Sequence, residues 1–197
     1  HTTVLSTVSS VVPGTTYSAE IKVADFTDNQ YNTAIFINYF GAALLVDLDS
    51  NNSSGASGSN YQTSFTEAGP AVAVVDADRL ITNLDTTSIQ QAVVRLTNAR
   101  PFDSLAIGAL PSGITGTIDT SVPGVITVTL SGSSTIANYH TALSAISFSN
   151  SSNVPDTTTR NLTVVVNDGV TNSNTAISSI TVVPVPTYLY TVAKSVN

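Results

Sequence analysis

Alternating apolar and polar residues predict β-strands along most of this chain. Between residues 125 and 130, branched apolar side chains alternate with threonine. The same period of two resumes at Ile146 and Phe148 and again over residues 162–166. This alternation is typical of strands that bury one face and expose the other. Residues 124–167 are therefore predicted to contain several strands with a buried side.

One short helix interrupts these strands. Residues 133–135 carry hydroxyl groups that favour a helix N-cap, and a short run containing Ala, Tyr and Leu follows them up to Leu143. After the last of these strands, the sequence Asn167-Asp168-Gly169 predicts a sharp turn that offers two side chains with oxygen ligands. The predicted order is strand, helical crossover, strand, strand and acidic turn.

The first 49 residues form an N-terminal strand block. Three runs in it share the alternation, at residues 17–23, 33–39 and 42–46. The tail, residues 184–197, contains a further alternating run at residues 188–192. A terminal strand of this kind is expected to return and pair with the N-terminal block, so we expect residues 1–197 to form one folded unit.

Residues 50–60 separate this block from the rest of the chain. They are rich in Ser, Asn and Gly and show no hydrophobic periodicity, which predicts a flexible linker. Their composition fits an engineered linker and a natural surface loop about equally well. In either case the segment is a candidate point for the insertion of another domain, which would make the unit a split domain.

The pattern as a whole predicts an all-β protein. Val, Ile and Thr abound, whereas Lys, Glu and other helix formers are scarce. Long strands joined by polar turns favour a β-sandwich with Greek-key connections.

The net charge and the absence of cysteine limit the classes of binding partner and the kinds of cross-link that this chain can have. The chain has 13 acidic and 6 basic residues among 197, a formal net charge of −7, and no cysteine. An acidic surface repels nucleic acid and anionic lipid, and no apolar run is long enough for membrane insertion. Because disulfides are impossible, a bound divalent cation is the expected cross-link.

Oxygen-bearing side chains in the predicted turns are the candidate metal ligands. Calcium takes six to eight oxygen ligands, and turns at one end of a sandwich bring distant acids together. The alternative is that these residues are solvated turn formers, a role that Asp and Asn often have. The candidates are Glu67, Asp76, Asp78, Asp85, Asp103, Asn167 and Asp168.

In the order and spacing of these motifs, residues 61–183 resemble the cadherin-like modules of calcium-dependent, RTX-type bacterial surface adhesins. The resemblance implies that Glu67, the pair Asp76 and Asp78, Asp85 and Asp168 hold calcium or lie near it. Asn83 stands where a second Asp-x-Asp motif would begin, and the usual Asn-Asp-x-Pro link to a following module is absent. The N-terminal block lies outside the resemblance and is expected as an extra set of strands.

The resemblance implies an extracellular module at the cell surface that takes part in adhesion and biofilm formation. It would be a scaffold or spacer for neighbouring adhesin domains or an inserted ligand-binding domain. The alternative function is a calcium-dependent carbohydrate-binding module that contacts glycans itself.

We do not expect an enzyme. The chain has only two histidines, no cysteine, no Gly-x-Ser-x-Gly motif and no phosphate-binding glycine loop. The sequence alone does not exclude a pair of catalytic carboxylates like that of a glycosidase, but it indicates no particular pair. His140 is expected to be a partly exposed surface residue. A second acidic group, Asp47 and Asp49 with Asp25 and Asp28, is interpreted as an exposed strand end and a polar loop.

Overall fold

The computed structural model describes residues 44–84 and 86–186, which form eleven strands and one helix. In chain order these elements are β1 (Leu44–Asp47), β2 (Tyr61–Thr66), β3 (Val72–Ala73), β4 (Leu80–Asn83), β5 (Ser88–Leu96), β6 (Asp103–Ile107), β7 (Thr115–Asp119), β8 (Ile126–Thr135), α1 (Ile136–Ser144), β9 (Ile146–Asn150), β10 (Arg160–Asn167) and β11 (Ala176–Val183). The predicted strands and the helical crossover of residues 124–167 are confirmed.

The strands form three sheets. The largest has six strands in the order β2-β11-β10-β5-β8-β7, the second has the order β3-β9-β6, and β1 pairs with β4 in the third. All pairings are antiparallel except that of β2 with β11. The largest sheet therefore joins the first and last described strands of the region 61–183.

The buried faces of the strands share one hydrophobic core. In β10, for example, Leu162, Val164 and Val166 are fully buried while the residues between them are not. Phe65 of the six-stranded sheet meets Phe148 of the three-stranded sheet edge to face, with ring centroids 5.6 Å apart. The predicted all-β sandwich is confirmed, and its Greek-key and cadherin-like character stays a prediction.

Helix α1 begins and packs as its sequence dictates. Thr135 is the N-cap, and its Oγ1 accepts a hydrogen bond from the Asn138 N–H. Tyr139, Ala142 and Leu143 are buried, the spacing of one helix face. The Tyr139 hydroxyl donates to the Gly132 carbonyl at 2.8 Å.

Gly132 has a φ of 133°, and a Cβ there would lie 2.0 Å from the Gly113 carbonyl oxygen, so the position requires glycine.

The segment predicted to be a flexible linker forms hydrogen-bonded turns. The Leu48 N–H donates to the Ser59 carbonyl at 3.1 Å, which closes the segment into a loop. Strand β1, from the end of the predicted N-terminal block, pairs with β4 in the region 61–183. The other predicted strands of the block and the tail strand at residues 188–192 lie outside the described residues.

Candidate metal centre

Two chain segments meet beside β1 and bring acidic residues together. The Asp76 N–H donates to the Leu48 carbonyl at 2.9 Å, which holds the chain after β3 against the chain after β1. Leu48, Val74 and Val75 are buried and anchor both segments in the core. The acids that follow these apolar residues are therefore placed side by side by the fold.

Asp49, Asp76 and Asp78 form an acidic cluster. One carboxylate oxygen from each lies within 4.8 Å of the others. Asp49 is completely buried, whereas Asp76 and Asp78 are half-buried. We call these three residues the Asp triad.

Hydrogen bonds from the loop that follows Asp49 favour the ionised form of its side chain. Its Oδ1 accepts from the Ser53 N–H at 3.0 Å, and its Oδ2 accepts from the Ser54 N–H at 2.8 Å. Burial opposes ionisation of this group, but the hydrogen bonds from Ser54 and Ser53 outweigh it and hold the pKa of Asp49 below its ordinary value. Asp49 is therefore negatively charged at neutral pH.

Asp78 has one oxygen with donors and one without. Its Oδ2 accepts from the Asn51 N–H at 3.1 Å and from the Ser50 hydroxyl at 3.3 Å. Its Oδ1 is buried and has no hydrogen-bond partner in the described part of the chain. A buried acceptor without a donor is unfavourable unless some other positive group meets it.

Asp76 faces the same loop. Its Oδ2 accepts from the Ser53 hydroxyl at 3.2 Å, and its Oδ1 accepts from the Ala77 N–H. The Ser53 hydroxyl also lies 3.4 Å from Asp49 Oδ1, so this side chain sits between two carboxylates of the triad.

A fourth carboxylate adds to the negative charge. Burial raises the pKa of Asp47 above its ordinary value, the Asp49 N–H lowers it in part, and the charges of Asp49 and Asp78 raise it further. Repulsion of this kind shows that acids at this place oppose one another's ionisation. A cation between them would remove that penalty.

Arg79 holds the segment next to the triad through backbone carbonyls, and in the described part of the chain its guanidinium forms no ion pair with the triad carboxylates. Its guanidinium donates to the carbonyls of Asp76 and Ala77, both at 2.9 Å, and to the His140 carbonyl at 2.8 Å. His140 in turn accepts the Ile81 N–H at its Nε2, at 2.9 Å. Of the four nearby acids, the charges of Asp76 and Asp78 act on the Arg79 guanidinium, so within the described ranges a single cationic side chain accompanies this acidic group.

The donor set suits calcium. The triad offers three carboxylates. The Ser50 hydroxyl donates to Asp78, and the Ser53 hydroxyl lies between Asp49 and Asp76. These are hard oxygen ligands from irregular loop segments, which Ca²⁺ accepts readily and which Mg²⁺, with its strict octahedral geometry, uses less readily. The unpartnered Asp78 Oδ1 is the atom that most directly fits a cation.

Two other predicted ligands are engaged in structural contacts. Glu67 accepts the Val185 N–H at 2.8 Å. The Asp103 side chain is fully buried and forms an ion pair with Arg160, whose Nε lies 2.6 Å from Asp103 Oδ2. Asn150 and the Arg100 N–H also donate to the Asp103 carboxylate.

Asn167 and Asp168 shape the turn after β10. Asp168 is 6 % exposed and accepts hydrogen bonds from Thr171, Val170 and Asn83. The N–H of Thr171 contributes most, burial opposes it, and the balance holds the pKa of Asp168 below its ordinary value. Asn167 accepts the Gly169 N–H at 2.7 Å.

Of the predicted ligands that are described, only Asp76 and Asp78 belong to the triad. Asp85 lies outside the described residues.

The expectation of an exposed strand end at Asp47 and Asp49 is wrong for Asp49, which is buried. Alternation from Leu44 and Val46 through Leu48 points Asp49 outward, but β1 ends at Asp47 and the chain turns. No local signal in the sequence indicates this burial, because Asp49 accepts the N–H groups of Ser53 and Ser54, which lie beyond the two-residue spacing of an Asx turn. Asp25 and Asp28 lie outside the described residues.

No protein-family model, curated protein or solved structure matches this chain. Over the described residues, no helix is both long enough and apolar enough to span a bilayer.

Proposed function

We propose that this chain is a calcium-stabilised extracellular module of a bacterial surface adhesin. Its role would be that of a scaffold or spacer that positions neighbouring ligand-binding domains. The observation that carries the calcium assignment is the Asp triad with the buried, unpartnered Asp78 Oδ1. The order of motifs over residues 61–183 supports the adhesin assignment.

A cation in the triad would cross-link the fold. Asp49 belongs to the chain after β1, and Asp76 and Asp78 belong to the segment between β3 and β4. Bound metal contributes its binding free energy to folding, since the unfolded chain has no preformed site. In a chain without cysteine, this linkage would perform the stabilising role of a disulfide.

A spacer in an adhesin needs stiffness, and a cation in the triad would add stiffness beside the loop that follows β1. Asp49 holds the loop of residues 50–60, which is also the candidate insertion point for another domain. Calcium there would fix the base of an inserted domain relative to the sandwich.

A carbohydrate-binding module is the second candidate. A shallow depression beside the same loop is lined by hydrogen-bonding side chains that could meet sugar hydroxyls: Ser54, Gln62, Thr63, Ser64 and Thr181. It has no aromatic platform, which most sugar sites use, so the scaffold role is favoured.

Thermal unfolding in calcium and in chelator tests the proposal. Saturating calcium is expected to raise the melting temperature by about 5–10 °C, because ligand binding to the folded state adds a few kcal/mol. Asp78→Asn should abolish most of this rise. It keeps the size of the side chain and removes the charge that the ion needs.

The control is Asp119→Asn, an exposed acid at the end of β7 that accepts the Ser121 N–H at 2.8 Å. It should respond to calcium as the parent protein does. Equal melting temperatures of the parent protein in calcium and chelator would contradict the calcium role. Robust calcium-dependent binding on a glycan array would replace the scaffold role with the carbohydrate-binding one.

A further inference from the structure

Strand β7 forms one edge of the six-stranded sheet, and no other strand of the described residues covers it. It is the last strand of that sheet and pairs only with β8 within residues 44–84 and 86–186. The outer side of such a strand presents unpaired backbone N–H and C=O groups, to which a further strand can add.

The opposite edge of the same sheet is protected. There, Ser54 of the preceding loop accepts the backbone N–H of Gln62 in β2 at 3.2 Å, and the Gln62 side chain donates back to the Ser54 carbonyl at 2.7 Å. Strand β7 is less protected, since its only charged residue is Asp119 at its end. It contains no Lys, Arg or Pro, and four of its five residues are exposed.

The sequence of β7 is complementary to itself in an antiparallel pairing. With a two-fold axis at Thr117, Thr115 of each copy faces Asp119 of the other, so no like charges are opposed. Gly116 faces Ile118 in the same arrangement. Ile118 is 45 % exposed, and its large apolar side chain would lie beside a position that carries none.

We propose that the free edge of β7 pairs with the same edge of a second copy of this chain. The pairing is antiparallel and centred on Thr117, and it joins the two six-stranded sheets into one. It does not involve the Asp triad and is independent of calcium.

The contact is short, so the dimer is weak. Five residues per copy bury far less than the roughly 1,200–2,000 Å² of a stable interface. A dissociation constant of about 100 µM is expected. A module that is crowded on a surface in many copies would reach such concentrations, whereas a dilute sample would stay monomeric.

Sedimentation equilibrium of the full chain, from about 20 µM to about 1 mM, tests the pairing. Thr117 is exposed, so Thr117→Lys and Thr117→Asp place like charges at the two-fold axis without disturbing the core. Each variant alone should associate at least tenfold more weakly than the parent protein. An equimolar mixture of the two should restore association, because the charges are then opposite.

Thr157→Lys, at an exposed loop position away from β7, is the matched control and should associate as the parent protein does. Chelator should leave all these results unchanged. The proposal is overturned by a parent protein that stays monomeric throughout, by Thr117→Lys that associates normally, or by a mixture of the two variants that stays monomeric.

Discussion

At the scale of single residues, the same side-chain type has three different roles in this molecule. Asp168 accepts turn N–H groups, Asp103 neutralises a buried arginine, and Asp78 has an oxygen with no donor among the described residues. The sequence predicts that Asp residues occupy turns, but it does not show which neighbours reach them. That depends on contacts between residues far apart in the chain, such as the one between Asp103 and Arg160.

Asp103 is expected to act as a structural acid that pairs with Arg160, and not as a metal ligand. Asp103→Ala leaves the fully buried Arg160 guanidinium without its carboxylate, so the free energy of unfolding should fall by about 3–5 kcal/mol. Chemical denaturation should give the same loss in calcium and in chelator.

Asp156→Ala is the matched control for this measurement. Asp156 also lies near Arg160, at 3.9 Å, but its side chain is 43 % exposed, so solvent already screens the pair and the loss should be small. A loss at Asp103 that disappears in chelator would make Asp103 a calcium ligand after all.

At the scale of elements, the strands and helix α1 could be read from the sequence. Their signals are local: alternation for β8, β9 and β10, and the hydroxyl cap of Thr135 for α1. The parallel pairing of β2 with β11 could not be read in this way, because it joins residues more than a hundred positions apart. The buried Asp49 was missed for a related reason, since it depends on where β1 ends.

Helix α1 is joined to β4 by a hydrogen bond that should make stability depend on pH. The Nε2 of His140 accepts the Ile81 N–H, so the ring must be neutral. Burial, and next the charge of Arg79, lower the pKa of His140 below its ordinary value of 6.5. The folded state therefore binds this proton less readily than the unfolded state does.

The unfolding free energy should be highest above about pH 6.5 and should fall as the pH drops through the lowered pKa. Urea denaturation at a series of pH values between neutral and mildly acidic measures this fall. His140→Gln cannot take up the proton and should lack that part of the pH dependence. A curve for His140→Gln that runs parallel to that of the parent protein would show that His140 does not cause the fall.

At the scale of the whole molecule, the all-β sandwich followed from the sequence, but the place where acids converge did not. Asp76 and Asp78 were among the predicted ligands, yet their partner Asp49 comes from the block outside the resembling region. The fold brings these segments together through β1, which pairs with β4. A cation at this place would therefore join two parts of the chain that the sequence presents as separate.

The most direct test of this account is a crystal structure of the full chain grown in calcium, with anomalous scattering used to locate the ion. The account predicts a calcium peak within about 2.3–2.6 Å of carboxylate oxygens of Asp49, Asp76 and Asp78, with Asp78 Oδ1 among its ligands. A calcium peak only at another set of acids, such as Asp168 and its turn, or no peak at the triad, would contradict it.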